Sequence, residues 1–323
     1  MRLAVVDLGT NTCRLLLADV RAGAIAHTEL RRTEVVRLGQ GVDRTGRLDA
    51  VAVERTLRCL REYATLVDGY APERRLLVAT SALRDAGDGP QFLSRVEREL
   101  GLPWRVIGGE EEAALAFRGA VTCLPRQSGC VLVFDVGGGS TEVAVGRVQS
   151  AAVPSPGFVC SLNVGAVRLT ERFFGSDPPT ASQWRAAVTL TRRLLSEAIP
   201  ADWRRVDVGI GVAGTITALV ANHLGLREYR TDLVHGRELR LSVIEAAIRS
   251  FRVLTSRERA LLPGVEPGRE DVILAGSLIA REVCRCFGLS GITCSEADIL
   301  EGAVLALAEA QREVGGPEGP ASA

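Results

Sequence analysis

The stretch that most constrains this chain is Phe134 to Gly146, FDVGGGSTEVAVG. Val131 to Phe134 form a short apolar run that ends at Asp135. Gly137, Gly138 and Gly139 then predict a turn with φ > 0, a backbone path that a side chain opposes. After the turn, Val143 and Val145 alternate with smaller residues, the period of a strand. Successive N–H groups in such a turn form an anion-binding nest. Ser140 and Thr141 add hydroxyls, and Asp135 and Glu142 flank the turn with carboxylates. Amides that hold anions, beside carboxylates that hold cations, predict a site for phosphate and Mg²⁺, which takes hard oxygen ligands. A plain glycine hairpin is the competing reading of the turn alone.

A second copy argues against that plain reading. Leu3 to Val20, LAVVDLGTNTCRLLLADV, is again an apolar strand, an Asp-x-Gly turn and a returning apolar strand. Asp7 matches Asp135, Gly9 matches Gly137, Thr12 matches Ser140 and Arg14 matches Glu142. Solenoids repeat every ~20–50 residues; two widely separated copies predict two similar domains instead. Facing each other across a cleft, such hairpins grip a phosphate chain from both sides.

Composition sets the outer bounds. The 323 residues suffice for two domains with ample cores. At 46% hydrophobic and 24% charged residues the chain reads as an ordinary globular protein. Its formal net charge is zero, so no global field recruits nucleic acid or membrane, and a polyanion site must be a local patch. All 39 basic residues are arginine, which excludes the Gly-Lys-Ser/Thr of a Walker A loop. The eight cysteines form no CxxC pair and read as small buried hydrophobes rather than a zinc site or disulfide framework. The N-terminal apolar run is short and broken by Asp7, unlike a signal peptide. No segment has the roughly 20 apolar residues of a membrane span. A cytoplasmic protein is expected.

The pair DLGTNTCRLLL and FDVGGGSTE resembles the phosphate-binding motifs of the exopolyphosphatase/guanosine pentaphosphate phosphatase (Ppx/GppA) family. The resemblance continues through Thr80-Ser81-Ala82-Leu83-Arg84, Ile107-Gly108-Gly109-Glu110-Glu111-Glu112-Ala113, Gly211-Val212-Ala213-Gly214-Thr215 and His235-Gly236. It implies an α/β fold of two ribonuclease-H-like domains, of the actin, sugar kinase and Hsp70 ATPase type. Mixed sheets flanked by helices then enclose an active-site cleft. The expected domains are 1–122 and 123–323, with a final helix that packs back on the first domain and a disordered tail at 315–323. In isolation, three glutamates in a helix first turn need no function, because acidic residues favour a helix N-terminus. The resemblance assigns Glu112 as the catalytic glutamate and leaves Glu111 a supporting role.

The implied reaction is Mg²⁺- or Mn²⁺-dependent hydrolysis of the terminal phosphate of inorganic polyphosphate. Phosphoryl transfer is mainly positioning and electrostatics. Thr10, Asn11, Thr12, Gly137, Gly138, Gly139 and Ser140 are the expected phosphate cradle, with Arg14 and Arg84 on more distal phosphates. Asp135, Glu142 and Asp7 are the expected metal ligands. The 5′-phosphate of guanosine pentaphosphate is the alternative substrate, with guanosine tetraphosphate as a related ligand, and a homodimer is expected. A kinase needs a sugar-binding segment with a catalytic aspartate, which is absent. A non-catalytic polyanion or alarmone sensor is the further alternative.

One detail departs from this frame, and three others need their own reading. The family's loop after Arg84 usually continues to an asparagine, whereas here it reads Asp85-Ala86-Gly87-Asp88-Gly89. Arg168 lies in a segment like the family's Gly-x-x-Arg-Leu-Thr and faces either substrate or surface. Gly209-x-Gly211-x-x-Gly214 formally fits a dinucleotide fingerprint. No βαβ unit with an acidic strand end follows it, so it reads as a tight structural turn. His235 carries no assigned role.

Overall fold

The computed structural model describes residues 1–124, 128–149 and 155–314. The expected disordered tail at 315–323 lies outside them. Eleven strands form two sheets. The first takes β1 (Arg2–Leu8), β2 (Thr12–Arg21), β3 (Ala24–Val35), β4 (Arg74–Ala79) and β5 (Trp104–Val106) in the order β3-β2-β1-β4-β5. The second takes β6 (Gly129–Val136), β7 (Thr141–Val148), β8 (Phe158–Leu162), β9 (Val208–Val212), β10 (Glu238–Arg240) and β11 (Gly291–Cys294) in the order β10-β11-β9-β6-β7-β8.

Each sheet begins as an antiparallel meander and continues with parallel strands: β4 beside β1 in the first, β9 beside β6 in the second. The two similar domains expected from the repeated motif are therefore present, as two mixed-sheet α/β units. Sequence patterning missed β8 and the three-residue β10. β8 is a short half-buried strand, FVCSL, whose side-chain alternation is too brief to separate from a loop.

Strand alternation decides where the charged residues point, because successive side chains face opposite sides of a sheet. On β1, Leu3 and Val5 pack toward the other domain, and Asp7 follows them on that face. On β6, Val131 and Val133 do the same and Asp135 follows. The inner faces are each covered by one helix, and the helices are exchanged. The helix Gly109–Cys123, which carries Glu112, packs through Ala113, Phe117 and Ala120 on the second sheet. The final helix, Ile299–Val314, packs through Leu300, Ala303 and Val304 on the first. The two cross where Gly119 meets the Asp298 carbonyl and Gly302 meets the Leu115 carbonyl. No side chain fits at either glycine, so backbones touch and the two halves are locked around one crossing. Outer helices bury the remaining apolar faces of both sheets.

The eight cysteines are all free thiols, four of them buried, as their apolar settings predict. Among the described residues, no helix is long and apolar enough to cross a membrane.

Candidate active site

A cleft of about 280 Å³ lies between the domains. Both turns line it: Gly9 to Thr12 from one side and Gly137 to Ser140 from the other. Asp7, Arg14, Glu112, Asp135 and Glu142 line it as well. Twelve of the thirteen residues expected at the site therefore border one cavity; Arg84 does not.

The three glycines act by a different means than expected. None of Gly137, Gly138 and Gly139 has a positive φ, so the turn is not the left-handed path that the glycine run predicts. The constraint is close approach. A Cβ on Gly138 would stand 2.9 Å from Thr10 Cβ, and one on Gly139 would stand 2.8 Å from Thr10 Oγ1. Gly165 in turn closes on the Gly138 carbonyl. Glycine is needed because the first hairpin and a neighbouring loop press against the second. The amides of Gly138, Gly139 and Ser140 have no acceptor among the described residues and remain available to an anion.

The acidic groups converge from three strands and one helix. Asp135 and Glu142 are directly opposed in the β6–β7 register. Ser161 Oγ, on the neighbouring β8, donates to Glu142 Oε1 at 2.8 Å. Gly109 lets the Glu112 helix start against Ser161, where a side chain would collide. Burial, then the Glu142 charge, raises Asp135 well above the usual carboxylate range. Burial likewise raises Glu142 and Asp7, although Arg14 opposes the rise at Asp7. Glu112 is pushed up to about 9 by burial and then by Glu142, while Arg84 pulls it down.

Two arginines expected on phosphate are held by carboxylates. Arg84 donates from Nη1 to Glu112 Oε1 at 2.6 Å and to the Ile107 carbonyl at 2.9 Å. It thus grips Glu112 from outside the cavity. Arg14 donates to Asp7 Oδ2 from Nε at 2.9 Å and Nη2 at 2.6 Å, and from Nη1 to Asp298. Both guanidiniums sit where a charged acceptor reached them first, a competition that spacing in the sequence does not reveal. Glu111 pairs with Arg105 at the surface.

Asp298 and Ser161 are site residues that sequence reasoning missed. Asp298 lines the cleft, 1% exposed, between Arg14 and Arg31. Burial would raise it, but these two arginines outweigh burial and hold it below the usual range. Its signal was present as Asp298-x-x-Glu301 before an apolar run, a capping box; its backbone N–H indeed donates to Glu301 Oε2 at 2.8 Å. Ser161 becomes visible only once β8 is paired with β7.

The loop after Arg84 has a defined partner. Asp85 accepts from Arg168 Nη2, and Asp43 Oδ1 forms an ion pair with Arg168 Nε at 3.1 Å. Arg168 is therefore neither a free surface residue nor in the main cavity; it ties the domains together. The third glycine turn places Ala213, Gly214 and Thr215 along the cleft, with Arg269 packed over Gly214. His235 accepts at Nδ1 from the Glu296 amide at 3.1 Å, a structural bridge.

The donor set fits a hard cation. Asp7 Oδ1 and Asn11 Oδ1 are buried oxygen atoms with no partner among the described residues, and Asp135 and Glu142 repel one another. Among the described residues, no three acidic, histidine or cysteine side chains are gathered tightly enough to cage a metal alone.

A family model described as Ppx/GppA phosphatase family matches residues 16–311. Exopolyphosphatase 2 of Mycobacterium tuberculosis is 40% identical over 95% of this chain and 98% of its own length. A solved exopolyphosphatase-like protein superposes with a TM-score of 0.89 at 34% identity, covering 96% of this chain and 100% of that one. The Ppx/GppA family member of Aquifex aeolicus superposes with a TM-score of 0.79 at 34% identity, covering 96% of this chain and 98% of that one.

Proposed function

This chain belongs to the Ppx/GppA phosphatase family, whose members share the actin-like ATPase fold, and is a phosphoanhydride hydrolase; from that premise we propose that it is an exopolyphosphatase using Mg²⁺ or Mn²⁺ and Glu112. One observation carries this reading: two anion-binding turns face each other across a cleft that also holds four acidic side chains, Asp7, Glu112, Asp135 and Glu142. The free amides of Gly138 to Ser140 hold the terminal phosphate, and Thr10 to Thr12 hold its other side. Glu112 takes a proton from the water whose oxygen attacks phosphorus. The anhydride P–O bond breaks and the shortened chain leaves with its electrons. Arg84 positions the Glu112 carboxylate and opposes its protonation. Asp135 and Glu142 would hold the cation, with Asp7 Oδ1 beside them. When bound, the cation would neutralise phosphate charge and favour the ionised forms of these carboxylates.

Guanosine pentaphosphate is a second reading with its own support. Arg269 and Tyr229 also line the cleft, and Tyr229 is an aromatic ring 38% exposed, which suits stacking on a base. The deciding experiment measures phosphate release with Mg²⁺ from long polyphosphate, short polyphosphate and guanosine pentaphosphate at matched concentrations of chain ends. Faster release from polyphosphate is expected. Preference for the nucleotide moves the function to alarmone turnover on the same residues. Binding without release from any of them reduces the chain to a sensor. The expected homodimer is tested by sedimentation velocity, where a single species of one-chain mass removes it.

A further inference from the structure

The cleft continues beyond the two turns. Thr10, Ser81, Gly139 and Val167 line it and also line a neck of about 10 Å³, room for one water and too small for phosphate. Asp43 and Glu171 line both that neck and an outer basin. The basin wall carries Arg44, Arg47 and Arg172. Arg44 and Arg172 have no ion-pair partner among the described residues, and Arg47 stands 3.5 Å from Asp88. The basin's acidic groups are engaged: Asp43 holds Arg168, Asp49 accepts from the Ala52 amide, and Glu171 accepts from the Gly41 amide.

Arg168 lines the neck. Its side chain is 10% exposed, pinned through Nε to Asp43 and through Nη2 to Asp85. Its third nitrogen, Nη1, is buried with no acceptor among the described residues. An unsatisfied buried donor on a cation is costly, and its best complement is an anionic oxygen.

We propose that this neck is a gated exit for orthophosphate, with Arg168 as the gate and the arginine basin as its outer vestibule. The inference rests on the exopolyphosphatase reading. Chain-end hydrolysis frees orthophosphate at the turns, while the shortened chain still fills the cleft toward Arg269 and Tyr229. Orthophosphate cannot leave past that chain without displacing it. Exchange of Arg168 from Asp85 to a phosphate oxygen opens a path on the opposite side and lets the chain stay bound.

The test follows one turnover on short polyphosphate with Mg²⁺, reading bond cleavage by acid quench and free phosphate with a fluorescent phosphate-binding protein. The delay between the two signals reports release. Val167→Phe fills the neck and is expected to lengthen the delay several-fold. Arg168→Met and Asp85→Asn loosen the gate and are expected to shorten it, with the cleavage phase preserved; either one suffices if the other fails to fold. General loosening of the domains would slow cleavage itself and would not move the two kinds of variant in opposite directions. Equal delays in all the proteins, zero included, overturn the exit. So does replacement of Arg44 and Arg172 by alanine that weakens binding of long chains alone and leaves the delay unchanged, which assigns the basin to the polymer. No cleavage by the unaltered chain shows in the quench alone and removes the function reading itself.

Discussion

In the first hairpin Asp7 faces Arg14 across the strands; in the second, at the same place in the register, Asp135 faces Glu142. The backbones agree, and the flanking charges differ by one substitution. Asp7 and Arg14 neutralise each other, and Arg14 is tied further to Asp298. The first hairpin thus carries its own countercharge. Asp135 and Glu142 are like charges directly opposed, which is unfavourable in a sheet, and burial compounds it. The second hairpin is complete only when positive charge arrives. A duplicated phosphate grip has diverged into one half that anchors and one half that waits for a cation.

The sharpest way to break this comparison begins at the residue that both halves serve. Glu112→Gln keeps the shape of the acid and removes its proton acceptor. Turnover is expected to fall by about 10²–10⁴-fold, the usual worth of general-base help, with thermal stability retained. Activity near that of the unaltered protein excludes the role. Asp135→Asn is expected to raise the Mg²⁺ concentration for half-maximal rate by about 10–100-fold, the scale at which metal sites respond to lost support. An unchanged Mg²⁺ titration means the second hairpin is not the cation-binding half.

A paired substitution sharpens the contrast in stability. Asp7→Asn leaves Arg14 buried with Asp298 as its remaining partner, and it is expected to cost about 3 kcal/mol, the low end for breaking a buried pair. Glu142→Gln relieves repulsion, so in metal-free buffer it is expected to leave stability equal or higher while weakening Mg²⁺ binding. Denaturant unfolding of the two variants without metal reads the difference. Equal losses from both would erase the distinction between the halves.

Much of this was legible in the chain. The two Asp-x-Gly turns, their separation, and the Glu112 helix gave the fold and the membership of the cleft, because hairpins and strand ends announce themselves over a few residues. What stayed hidden depended on long-range pairing. The glycine run correctly marks the turn, but its cause is the approach of Thr10 from the other domain, which no local φ preference encodes. Arg84 and Arg14 look like free phosphate ligands until Glu112, Asp7 and Asp298 are placed beside them. The Gly119–Gly302 crossing joins residues with nothing local in common.

The last and smallest effect is in pH, and it separates Asp298 from the other buried carboxylates of the cleft by sign. Glu112 titrates near its ordinary value of 4.5 when unfolded and at about 9 in the fold. Below both values it is protonated in either state and its contribution is fully present. Between them the folded chain keeps a proton that the unfolded chain has lost, so stability falls as pH rises. Asp7, Asp135 and Glu142 are shifted in the same direction. Asp298 is shifted the other way, held ionised by Arg14 and Arg31. Its contribution is present above its unfolded value of 3.8 and is lost as pH falls through the lower folded value. Metal-free thermal melts are therefore expected to lose stability on the alkaline side through Glu112 and the hairpin carboxylates Asp7, Asp135 and Glu142, and on the acid side through Asp298. Glu142→Gln should flatten the alkaline limb alone, and Asp298→Asn the acid limb alone. Added Mg²⁺ should restore the alkaline limb, because it binds the ionised carboxylates that burial disfavours. If Mg²⁺ raises the melting temperature equally at all pH values, the cation sits elsewhere and the asymmetry of the hairpins is purely structural.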